Sequence, residues 1–107
     1  MAFMPETALY QNTHKTKDYF WIVSKGDGYS VNGIYSTKED SKTAHLWDAQ
    51  CKKANDTEIK CIYTHSAGHK HAGTITFIKK DNTTYASIRA DSGYSSDTMY
   101  EQIIPSS

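Results

Sequence analysis

The sequence predicts an α+β domain built from an N-terminal β-hairpin, one α-helix and an antiparallel β-sheet. Three observations predict it. Two runs rich in aromatic and β-branched residues flank the turn Gly26-Asp27-Gly28. Ser36-Thr37-Lys38-Glu39 has the S-x-x-E form of a helix capping box and opens a stretch with three- and four-residue apolar spacing. From Glu58 onward the apolar period changes to two, the period of a strand.

Taken in order, residues 1–17 are polar and aperiodic and read as a flexible N-terminal arm, leaving 18–107 as a single domain. Tyr19-Phe20-Trp21-Ile22-Val23 and Tyr29 to Tyr35 form the hairpin, with glycine on both sides of Asp27 supplying the backbone freedom of a tight turn. In the expected helix, Glu39 and Asp40 lie in the first turn and Lys52 and Lys53 in the last, each with the sign the helix dipole favours. Its apolar stripe is Ala44, Trp47, Cys51 and Ala54, with Trp47 as the anchor in the core. Glu58 to His65, Thr74 to Lys79 and Thr84 to Ala90 read as strands. Ala67 to Gly73 and Asp91 to Ser96 read as loops, and Thr98 to Ile104 as either a short strand or a helical turn.

Composition agrees with a sheet-rich chain: 107 residues carry only two leucines against nine isoleucines, eight tyrosines and twelve threonines. Twelve basic and twelve acidic residues balance, so global charge gives no support to a duplex-DNA binder. No apolar run approaches the length of a membrane span. No leader is visible, which leaves a cytoplasmic protein or a mature secreted domain. Cys51 and Cys61 either remain two buried thiols or close a short disulfide loop, worth about 2–3 kcal/mol in the chain-entropy model. Two Asn-x-Thr triplets, at Asn55 and Asn82, fit secretion.

Several side chains are candidates for chemistry. Cys61, His65, His69 and His71 carry zinc-type donors, but they follow one another along a single strand and loop, whereas structural zinc sites pair ligands from two separate knuckles. No metal and no cofactor is therefore expected, and His69 and His71, with Tyr85, are retained as candidate ligand-binding residues. Lys52, Lys53, Lys60, Lys79 and Lys80, interleaved with tyrosines, form either a basic aromatic patch for single-stranded nucleic acid or a solvated edge protected by lysine. No G-x-S-x-G elbow or phosphate-cradling glycine loop is present.

Tyr63-Thr64-His65 on the strand after the expected helix, Asp18-Tyr19 at the start of the hairpin and Tyr35-Ser36-Thr37 before the helix resemble the small secreted guanyl-specific ribonucleases of fungi. That resemblance implies a hairpin–helix–sheet fold. It also implies a site in which His65 acts on the base side with a glutamate, Arg89 steadies the phosphate and a second histidine serves as acid. Tyr63, His65 and Arg89 are thus the candidate catalytic residues. Thr74 to Lys79 holds no carboxylate and no histidine follows His71, so two of those positions are empty. A retained fold with lost catalysis is similar to the ribonuclease-like effectors secreted by plant-pathogenic fungi. It implies a secreted, non-enzymatic interaction protein, with a host protein as first partner and RNA as second. An active ribonuclease using His65 and Arg89, and a small phage or bacterial inhibitor of a protein partner, are the alternatives.

Overall fold

The computed structural model describes residues 7–14, 17–36, 44–65, 68, 70–90 and 98–104. The described residues form eight strands: β1 (Thr7–Asn12), β2 (Asp18–Lys25), β3 (Gly28–Tyr35), β4 (His45–Lys53), β5 (Glu58–His65), β6 (Lys70–Lys80), β7 (Thr83–Ala90) and β8 (Thr98–Ile104). Each pairs antiparallel with the next, and β8 returns to pair with β1, so the sheet closes into an up-and-down barrel in chain order. The α+β expectation is corrected to all-β.

The correction falls on the expected helix, where His45–Lys53 is extended as β4. Trp47 and Cys51 are four residues apart, a spacing that suits one face of a helix and one face of a strand equally. Ala49 decides between them. Trp47, Ala49 and Cys51 face inward, while Leu46, Asp48, Gln50 and Lys52 are exposed, a period of two. Only a strand sets Cys51 directly opposite Cys61, and the two are joined by a disulfide with Cα atoms 4.1 Å apart. Of the capping box, residues 37–39 lie outside the described residues. At the chain start, Thr7–Asn12, expected within an arm, is strand β1 and buries Ala8, Tyr10 and Asn12. Lys70 to Gly73, expected as loop, begins β6, and Thr98–Ile104 resolves as a strand.

Local chemistry fixes the turns. Lys25 faces Gly28 across a two-residue turn in which Gly26 takes φ 62°, the left-handed region that tight hairpins need at their first central residue. At the next tight turn Asp81 takes φ 59°, a conformation aspartate tolerates better than most residues. Between β4 and β5 the Asn55 side chain accepts from the Thr57 amide at 2.9 Å and donates to Glu58 at 2.6 Å, which caps the reversal.

An eight-stranded barrel is just wide enough for its interior to be filled by side chains, provided large and small residues alternate around it. The described core does this. Phe20 neighbours Gly33, which neighbours Trp47; Ala49 neighbours Tyr63; Phe77 neighbours Ala86, which neighbours Tyr100. A Cβ at Gly33 would overlap the Trp47 indole, and one at Gly73 would overlap the Tyr63 ring, so the glycines make the room those rings occupy. Tyr10 stacks on Phe20 at 4.8 Å, and Tyr100 meets Phe20 edge-on at 4.9 Å.

Candidate functional site

The barrel wall separates the residues singled out from the sequence. Tyr63 lies inside, 6% exposed, with its ring edge-on to Trp47 at 5.6 Å. His71 is its register partner on β6 and is half-buried. His65 stands opposite Trp47 in the strand register, and His69 lies outside the described residues. Arg89 is exposed on the outer face of β7, the neighbour of Ile88, which packs on the core. Tyr85 shares that outer face and is half-buried, opposite Ile78 and Glu101. Tyr63 and His71 are therefore brought together, and Arg89 is held on the other side of the wall from both. The zinc-type run loses its sulfur donor, because Cys61 is bonded to Cys51.

One end of the interior is polar. Asp18 on β2 is 8% exposed and accepts from Tyr100 at 2.9 and 3.0 Å and from the Asn12 side-chain amide at 2.9 Å. Burial, followed by the Asp18 charge and hydrogen bond, pushes the Tyr100 phenol far above its ordinary range. Burial alone raises Tyr10. Both phenols are locked in their neutral form at neutral pH.

The outer wall carries the charge that the sequence scatters. On adjacent strands, Lys25 faces Gly28, Gly28 faces Lys52, Lys52 faces Lys60, Lys60 faces Thr74 and Thr74 faces Arg89. All belong to one row running across the strands. Like charges placed directly opposite each other repel, so the Lys52–Lys60 pair costs stability where it stands. Among the described residues none of Lys25, Lys52 and Lys60 has an ion pair, whereas Lys53 reaches Asp56 at 3.4 Å. The three lysines border a groove of about 580 Å³ whose lining also includes Asp27, Gln50 and Ile62. A side chain at Gly28 would crowd the Cys51 carbonyl, and its absence keeps the floor between Lys25 and Lys52 open.

Lys52 and Lys60 were legible as basic residues, while Lys79 and Lys80 sit at the far end of β6 opposite Thr84 and Thr83. Lys25 was missed. Its signal is the period of two carried down β2, in which Tyr19, Trp21, Val23 and Lys25 share the outer face.

Together these features define a small, closed antiparallel barrel with a filled aromatic core and a basic groove on its outer wall. Comparison with protein-family models, with curated proteins and with solved structures finds no match.

Proposed function

We propose that this chain is a non-enzymatic binding protein that holds single-stranded RNA across the outer wall of β2 to β7. The carrying observation is the row of Lys25, Lys52 and Lys60, three cations that form no ion pair among the described residues and outnumber the one carboxylate, Asp27, in the groove beside them. Neighbouring strands are about 4.8 Å apart, so Lys52 and Lys60 form a close pair and Lys25 follows about 10 Å further on. A backbone with a charge at each repeat can meet such a row at several points. The exposed Ile62 offers apolar contact for an unstacked base beside it.

The separation of Arg89 from Tyr63 and His71 supports the non-enzymatic part. Cleavage by the 2′-hydroxyl needs the base, the acid and the cation on one reacting group. The Cys51–Cys61 disulfide supports a secreted protein, since such bonds persist in oxidising compartments.

The test is polarisation of a labelled 12-nucleotide single-stranded RNA across a salt series. Three neutralised phosphates give a log–log slope near −2, at about 0.7 per contact. The Lys52→Glu, Lys60→Glu double variant is expected to weaken binding by more than about tenfold, and the RNA to be recovered uncut. Binding that ignores both salt and charge reversal would sink the reading, as would specific cleavage by the wild-type protein.

A further inference from the structure

A second depression of about 450 Å³ lies on the same wall, nearer the start of β4, and has a different chemistry. Trp21 faces Asn32, Asn32 faces Asp48 and Asp48 faces Thr64, so these four side chains form one row across β2, β3, β4 and β5. All four point outward, because their chain neighbours Phe20, Val31, Ala49 and Tyr63 are core residues. Trp21 is 40% exposed and Leu46, on the rim, is 60% exposed. Among the described residues the Trp21 indole has no ring contact, and Asn32, Asp48 and Thr64 make no side-chain hydrogen bond or ion pair. A large flat apolar surface and three unused polar groups therefore converge on one shallow site.

We propose that this depression binds a neutral sugar ring. A pyranose has an apolar face of C–H groups and a rim of hydroxyls. The indole of Trp21 matches the face, and Leu46 lies two strands away on the rim of the same depression. Asp48 accepts from two neighbouring hydroxyls at once, the Asn32 amide both donates and accepts, and Thr64 adds a hydroxyl of its own. The carboxylate also decides against other occupants. Asp48 repels a phosphate at the centre of the row, which continues past Thr64 to the exposed Lys70, two strands or about 10 Å from Asp48. A protein anchor in this place would bury Asn32, Asp48 and Thr64 together, and each would then need a partner of its own. The site is independent of the RNA reading, and either can fail without the other.

The experiment is a titration of the full chain, followed by nitrogen–proton NMR, with neutral hexasaccharides of β-linked glucose, xylose, mannose and N-acetylglucosamine. The Trp21 indole N–H and the Asn32 side-chain amide are expected to shift saturably, with half-saturation below about 1 mM for at least one of them. Asp48→Asn is expected to weaken that binding by about tenfold, and Trp21→Ala to abolish it. The Lys52→Glu, Lys60→Glu double variant is expected to leave it unchanged. Since Trp21→Ala can disturb packing, Asp48→Asn and Asn32→Ala, both on the surface, carry the test separately. No shift with any of the four sugars overturns the proposal. So does a shift with adenosine monophosphate at the same peaks when the sugars give none, or sugar binding that survives Asp48→Asn, Asn32→Ala and Trp21→Ala alike.

Discussion

Tyr100 donates its hydroxyl to both carboxylate oxygens of Asp18, at 2.9 and 3.0 Å, across 82 residues of chain. The bond joins β8 to β2 inside the barrel, next to the seam where β1 and β8 close the ring. Removing it leaves the buried carboxylate with the Asn12 amide but without its tyrosine donor, a loss of about 1.5–3 kcal/mol for a hydrogen bond to a charged group. Tyr100→Phe is expected to lower the urea midpoint accordingly, with an unchanged m-value.

Tyr10→Phe is expected to do the reverse. The Tyr10 hydroxyl is fully buried and meets no hydrogen-bond partner among the described residues. Its deletion removes a desolvated polar atom and leaves the ring stack on Phe20 intact. Stability is expected to hold or to rise by up to about 1 kcal/mol, read in the same urea experiment.

Alkaline pH provides a third check. Tyr10 and Tyr100 both have phenols raised above 10.0 in the folded chain, by burial in each case and by Asp18 in the second. The folded state therefore holds these two protons where the unfolded state has released them. Their contribution is complete below about pH 10 and falls as pH rises, by about 1.4 kcal/mol per pH unit for each phenol. Ultraviolet titration of the tyrosines is expected to show two groups that ionise only as the far-ultraviolet circular dichroism is lost. If all the tyrosines titrate before unfolding, the buried positions of these two are wrong.

Gly33→Ala and Gly73→Ala are expected to destabilise by about 1–3 kcal/mol each through overpacking. In the first the Trp47 ring must move, and in the second the Tyr63 ring and the Arg89 carbonyl. Near-ultraviolet circular dichroism of Gly33→Ala is expected to change with little change in strand content.

Reducing the Cys51–Cys61 bond, which spans a sequence separation of 10, is expected to remove about 2–3 kcal/mol. Thermal melts with and without reductant check this directly. An unchanged melting temperature would show that the β4–β5 hairpin is already restrained in the unfolded chain.

Most individual strands were legible, because β2, β3, β5, β6 and β7 carry β-branched and aromatic residues with turn residues between them. β4 was misread because Ala44 and Ala54, which completed the helical stripe, are exposed, while Ala49, too small to stand out, is in the core. β1 was hidden because it turns Asn12 inward, where Asp18 and Tyr100 give it a polar setting that no local pattern announces. Closure of the ring could not be read at all, since Leu9 pairs with Ile104 and Asn12 with Tyr100 from opposite ends of the chain. The lysines of the groove were visible singly, but their alignment depends on strand register. Trp21 sits in an unbroken apolar run whose composition does not tell its two faces apart, and Trp21 and Val23 prove to be 40% and 38% exposed.

Because the first strand hydrogen-bonds to the last, the sheet formed by the described residues has no edge strand to offer a neighbouring molecule. Strands with exposed Ile62, Ile78 and Ile103 are shielded from stacking into fibrils only while that circle is complete. The contact that completes it spans nearly the whole chain, which makes it among the slowest to form during folding. The hazard of edge-to-edge association is therefore greatest in the interval before β8 finds β1.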